Sequence, residues 1–227
     1  MSSSALTPDP IPLQASILRT FTVLHHLQPN WGGALILNIG LDAKGTALSL
    51  AANIAGAVCL TLEFDPARLR EAQRIGSCDF IVNTLDEALR AIKNEIRQHK
   101  PISIGLEGDA AILMNEIRER GLAPLLFTAA YPDATLYLSS VKTRILDPTD
   151  FTLVDAATTP HLWHLDTFSF ASAAELRAFD TLALAALLPA DTLRRKWLQA
   201  IPRILPRDRT RTLWLTDEEQ LSLKKVG

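Results

Sequence analysis

Apolar positions along this 227-residue chain follow two rhythms in turn. "ALILNI" (34–39), "AVCLTLEF" (57–64), "DFIV" (79–82), "PISIGLEG" (101–108) and "APLLFTA" (123–129) are short and nearly continuous apolar runs. Runs of that kind are expected of strands buried on both faces of a parallel sheet. Between them lie "GTALSLAANIAG", rich in alanine, and the amphipathic "DPARLREAQRIG", "TLDEALRAIKNEIRQHK" and "DAAILMNEIRERG", all expected to be helical. Asp65 is placed as an N-cap, Pro66 at the first helical position and Gly76 as a stop. Thr84 and Glu87 have the spacing of a capping box. A further helix, "IPLQASILRTFTVLHHL", precedes the first strand. Strands and helices that alternate across short connections predict an α/β fold, a doubly wound and mostly parallel sheet with right-handed crossovers.

After about residue 130 the rhythm changes. "ATLYLSSV" (134–141), "FTLVDAA" (151–157), "HLWHLDTF" (161–168) and "RTRTLWLT" (209–216) read as short strands, and 172–188 and 191–205 as helices. The expected organisation is an N-terminal helix within 1–30, the doubly wound unit over 31–130, and a mixed α/β C-terminal extension over 131–227. That extension either completes the sheet edge or caps the same domain with helices.

Composition narrows the functional classes. An apolar fraction of 48% supports a packed core, and a net charge of -2 gives no basic field, so nucleic acid and membrane surfaces are not expected partners. The N-terminus has no basic stretch running into an apolar segment, and no apolar run reaches the ~18 residues of a membrane span. Cys59 and Cys78 make neither a disulfide framework nor a metal spacing, so a reducing, cytoplasmic setting is expected and both thiols are read as core.

The candidate chemistry starts at "GLDAKGT" (40–46), a glycine-bearing turn between a strand and a helix. Ligands of open α/β sheets sit beyond the strands' carboxyl ends, where glycines let the backbone approach a pyrophosphate that faces a helix N-terminus. Gly40 and Gly45 have the spacing of the outer glycines in G-x-G-x-x-G, but Asp42 replaces the middle one. A Walker-type loop is excluded, because Lys44 precedes Gly45 instead of following it. Glu63, roughly 20 residues further on, stands where an acidic residue accepts hydrogen bonds from a ribose, or else is a solvent-exposed start to the next turn.

Three stretches together carry a family resemblance. "GGALILNIGLDAKGTALSLAANIAG", "CLTLEFDPARL" and "KPISIGLEGDAA" resemble the NAD-binding domain of urocanase (urocanate hydratase) over about Trp31 to Phe127. The resemblance implies a Rossmann-like fold, NAD as cofactor, and a cofactor site built from Gly40, Lys44, Gly45, Thr46, Glu63, Arg68, Gly108, Asp109 and Ala110. It also marks departures. Asp42, Ala43, Lys44 and Thr46 replace Gly, Gly, Met and Gly of the family's loop, and Asp109 replaces an Asn. "AAYPDA" (129–134) stands where the family has D-Q-T-S-A-H. Two added carboxylates where a pyrophosphate would sit imply that NAD binding is weakened or lost.

No catalytic or metal site is expected. His25, His26 and His99 do not cluster, and His161 and His164 would face opposite sides of a strand. The basic residues Arg194, Arg195, Lys196, Arg203, Arg207, Arg209 and Arg211 are read as a helix face paired with Asp or Glu elsewhere, or as an oligomer contact. The resemblance leaves two functions open. One is a urocanase-type Rossmann domain that is not itself a hydratase and acts as a binding or regulatory protein. The other is an NAD- or nucleotide-binding subunit of a urocanate-hydratase-like lyase in histidine degradation. The expected partners are a small-molecule or nucleotide ligand and either a second copy of the chain or a urocanase-type chain.

Overall fold

The computed structural model describes residues 12–128, the backbone of 144–146, and residues 163–224. Five strands follow the first helix α1 (Leu13–Leu27): β1 (Leu35–Ile39), β2 (Val58–Glu63), β3 (Phe80–Val82), β4 (Ile102–Glu107) and β5 (Leu126–Thr128). Between them run α2 (Ala43–Ala55), α3 (Pro66–Ile75), α4 (Leu85–Gln98) and α5 (Ala110–Glu119). A sixth strand, β6 (Arg144–Leu146), joins the same sheet. Then come β7 (His164–Ser169), α6 (Ala173–Ala186), α7 (Thr192–Ile204), β8 (Thr210–Leu215) and α8 (Asp217–Lys224). The strands expected over 134–141 and 151–157 lie outside the described residues. The two elements that the apolar pattern did not announce, β6 and α8, are the shortest kinds of signal: three residues and eight.

Every pair in the main sheet is parallel, in the order β3-β4-β2-β1-β5-β6. The chain moves outward from β1 through β2 towards β4, then returns to place β5 on the other side of β1. The winding therefore reverses at the carboxyl ends of β1 and β5, the switch point where this class of sheet binds ligands.

Local chemistry accounts for the helix boundaries. The Asp65 carboxylate accepts from the Ala67 N–H, Pro66 opens α3, and Gly76 closes it in the left-handed region. Thr84 and Glu87 form the reciprocal capping box at the start of α4. Alanine in α2 also has a reason. That helix is packed on both sides, by the sheet and by α1 and α7, so ten of its thirteen residues are buried. A helix apolar on every side needs small residues to sit in a middle layer. On the opposite face, Leu85, Leu89 and Ile92 of α4 and Leu113, Met114 and Ile117 of α5 close a second core over β1, β2 and β4.

Among the described residues of the C-terminal part, β6 extends the sheet, while α6, α7 and β8 join the core formed with α1 and α2. β7 and β8 form a separate antiparallel ribbon. The ribbon is tied to α1 by polar bonds inside the core. Trp214 Nε1 donates to Thr22 Oγ1 at 2.9 Å, and the Gln14 side chain accepts from Thr212 N–H and donates to Asp208. Lys196 of α7 donates to the Ala55 carbonyl at 2.7 Å, placing a cation at the negative end of the α2 dipole. Among the described residues no helix is long and apolar enough to cross a membrane.

Candidate functional site at the carboxyl end of the sheet

The turn after β1 is set by three residues. Gly40 has φ +84° and donates to Leu62 O at 2.9 Å, so the chain leaves β1 sharply while still tied to β2. Gly45 passes so near that a Cβ there would lie 2.0 Å from Gly40 O. Asn38, buried and not singled out from the sequence, places its Nδ2 within reach of Gly40 O, Gly45 O and Thr61 Oγ1. The glycines are thus required by the packing of the turn itself, whatever it binds.

The helix starts around this turn are already satisfied. Asp42 is the N-cap of α2, and its carboxylate accepts the Gly45 N–H at 2.8 Å. Thr46 is buried, with its Oγ1 3.4 Å from Leu41 O, and Lys44 is exposed. Asp109 caps α5, accepting from Ala111 and Ile112 at 2.9 and 3.1 Å, and Ala110 is the first helical residue. Gly108, at φ +152°, donates to Glu63 O. In a dinucleotide-binding domain the phosphate oxygens take these helix-terminal donors; here carboxylates of the chain take several of them.

Glu63 fits neither sequence reading in full. It is not a solvent-exposed turn residue: only 2% of its surface is exposed. One carboxylate oxygen accepts Leu41 N–H at 2.7 Å and the other accepts Asp65 N–H at 3.0 Å. Arg68, half exposed, reaches Glu63 Oε2 at 3.9 Å and Asp65 at 3.8 Å. Glu63 therefore ties the glycine turn to the α3 start, and its oxygens are engaged inside the protein.

All nine residues expected at the site lie at the ends of β1, β2 and β4 or the starts of α2, α3 and α5. Among the described residues, the strand ends and helix starts there carry five carboxylates, Asp42, Glu63, Asp65, Glu107 and Asp109, against the two cations Lys44 and Arg68. Two large apolar side chains share the rim: Phe64, 74% exposed, and Ile112, 62% exposed. The 129–134 stretch lies outside the described residues.

Other candidates resolve into packing. Cys59 and Cys78 are free and buried, and desolvation pushes their thiols up to about 11 and about 12. Of the basic residues, Arg194 pairs with Asp191 and Glu219, and Arg211 pairs with Asp180 through both its Nε and Nη2. Arg195 donates to carbonyls of Leu184 and Leu187, and Arg203 to Asn53. One pair was missed: His164 and Asp166 lie on one face of β7, with Nε2 2.9 Å from Oδ2, and Asp217 of α8 is 3.5 Å from Nδ1. The period of two along a strand carried that signal. His161 lies outside the described residues. Among the described residues no group of three or more His, Cys, Asp or Glu is arranged to hold a metal ion.

A parallel doubly wound sheet, a glycine turn at its switch point and an acidic residue ending the next strand define a Rossmann-like domain. Residues 18–133 match the family described as the urocanase Rossmann-like domain. The chain belongs to the urocanase family through that domain, which runs from within α1 to just beyond β5.

Proposed function

We propose that this urocanase-type Rossmann domain acts as a binding or regulatory component and not as a hydratase, with its NAD site weakened or lost. One observation carries the reading: the Asp42 and Asp109 carboxylates hold helix N-terminal N–H groups where a pyrophosphate would be received. The residues present therefore do not fit that group. An entering pyrophosphate meets like charge and donors already bonded, in a rim whose described residues carry five carboxylates and two cations. Both cysteines are buried with raised thiols, which argues against a thiol of this chain as a reacting group.

A second reading retains nucleotide binding as the donor subunit of a urocanate-hydratase-like lyase. It is favoured by the exposed Phe64 and Ile112, apolar surfaces at the strand ends against which a base could lie. Calorimetric titration with NAD separates the two. The first reading expects millimolar or undetectable affinity, and expects Asp42→Gly combined with Asp109→Asn to strengthen it. Micromolar affinity in the unaltered chain overturns it. Loss of urocanate's ultraviolet absorbance on adding the protein alone would overturn the non-hydratase assignment.

A further inference from the structure

Between α6, α7, β8 and α8 lies a cavity of about 260 Å³, with Leu198, Leu213 and Leu223 among its walls. At the ~30 Å³ that a water molecule occupies in the liquid, it has room for about eight non-hydrogen atoms. Aliphatic walls give water few partners, so a hydrocarbon is the better guest. Three lining residues are exposed: Ala186 of α6, and Glu218 and Ser222 of α8. They mark a mouth between the two helices.

The gap is not what packing alone would leave. α6 brings Ala183 and Ala186 to it while Leu182 is 44% exposed. At the mouth α8 brings Ser222 while Leu221 is 61% exposed. Helices selected only for stability would turn the larger side chains inward and close the space.

Charge at the mouth selects among hydrocarbon ligands. The charged residues lining the cavity are Arg194, Glu218 and Glu219. Arg194 is already paired with both Asp191 and Glu219, and those two carboxylates exceed its single charge. Glu218 makes no hydrogen bond or ion pair with any of the described residues. The exposed Asp217 precedes it in the first turn of α8. Together they outweigh the positive end of the helix dipole, which amounts to about half a charge. An anionic head group is therefore repelled at the mouth and a cationic one attracted.

We propose that this cavity binds a small aliphatic cation, with a hydrocarbon body of about six carbons between the walls and an ammonium group at the mouth beside Glu218. The site shares no residue with the glycine turn, so it stands whether or not the domain keeps its NAD site.

The test is titration of the whole chain with hexylamine, hexanol and hexanoate at low salt, read by ligand-observed NMR. Protonated hexylamine is expected to bind about two- to fivefold more tightly than hexanol, the worth of one exposed ion pair. Hexanoate should bind most weakly. From butylamine to hexylamine each methylene should tighten binding about three- to fourfold. Glu218→Gln should remove most of the preference for hexylamine and leave hexanol unchanged. Ala186→Phe, at the exposed mouth, should block both ligands with the circular dichroism spectrum retained. Should that variant fail to fold, Ser222→Phe replaces it. No binding of hexylamine at tens of millimolar overturns the proposal. So does hexanol or hexanoate binding as tightly as hexylamine, or a preference untouched by Glu218→Gln. Amine held instead by the acidic rim at the carboxyl end of the sheet would survive a folded mouth-filling variant, and that outcome also overturns it.

Discussion

The Leu41 N–H donates to Glu63 Oε2 at 2.7 Å, joining the glycine turn after β1 to the end of β2. The same carboxylate accepts the Asp65 N–H, so a single side chain fixes two turns. Glu63→Ala leaves both donors without a partner in a nearly closed site. An unmet buried donor costs about 1–3 kcal/mol, so the expected loss is about 2–4 kcal/mol. Glu63→Gln should lose less, since its oxygen still accepts one bond. Urea unfolding of the three proteins checks the order. Equal stability of Glu63→Ala and the parent chain would mean that the carboxylate does not hold the turn.

The two glycines of the turn should respond differently to alanine. At Gly45 the added Cβ would lie 2.0 Å from a backbone oxygen, which has no rotamer to move to. The cost expected is about 2–3 kcal/mol or more. At Gly40 nothing lies within 4 Å, and the only cost is the positive φ, about 1–2 kcal/mol. Gly45→Ala should therefore unfold at clearly lower urea concentration than Gly40→Ala. The reverse order would place the constraint in backbone conformation and not in close approach.

These contrasts also mark what could be read from the chain. Caps such as Asp65-Pro66, Gly76 and Thr84-Glu87 were legible because each acts within one helical turn. The sheet was legible because apolar runs buried on both faces have few alternatives. Glu63 ends β2, as the apolar run predicts, but its environment does not follow from the chain. Its burial depends on the register that sets it beside Glu107 and on the path of Leu41, both long-range facts. Asn38 under the turn, and the choice of Glu219 as a partner of Arg194, were hidden for the same reason, whereas Asp191–Arg194 lies within one helical turn. β6, three residues long, has too little pattern to be distinguished from a loop.

Both thiols should be silent in the native protein. Burial pushes Cys59 up to about 11 and Cys78 up to about 12, leaving almost no thiolate at pH 8 and no access for a reagent. Ellman's reagent is expected to detect no fast-reacting thiol in the folded chain and two after unfolding in guanidinium. One thiol reacting at the rate of free cysteine would contradict the packing described for it.

Ion pairs should divide by burial. Arg211 is 1% exposed and grips Asp180 with both Nε and Nη2, so Asp180→Ala strands a buried guanidinium and should cost about 3–5 kcal/mol. Arg74–Glu71 and Arg120–Asp86 lie in solvent, and Glu71→Ala or Asp86→Ala should change stability too little to measure. Thermal or urea unfolding of the three variants gives the comparison. A loss at Asp86 comparable to that at Asp180 would refute the ranking.

Acid should weaken the protein partly through His25. Its pKa is held below the ordinary 6.5, first by burial, then by the nearby cations His26 and Lys196, with Asp191 opposing. The Nε2 atom also lies 3.2 Å from Thr192 Oγ1 across the α1–α7 contact. A depressed folded-state value means that the unfolded chain takes up the proton more readily. The stability due to the neutral ring is therefore complete above about pH 6.5 and is lost as pH falls through the lower, folded value. His25→Gln keeps a hydrogen-bonding side chain and removes the titration. Urea midpoints measured from pH 7.5 to 5 should fall less steeply for His25→Gln than for the parent chain. Every other titrating group is common to both proteins and cancels in the difference. A steeper fall in the variant would reverse the sign and place His25 in an environment that favours its charged form.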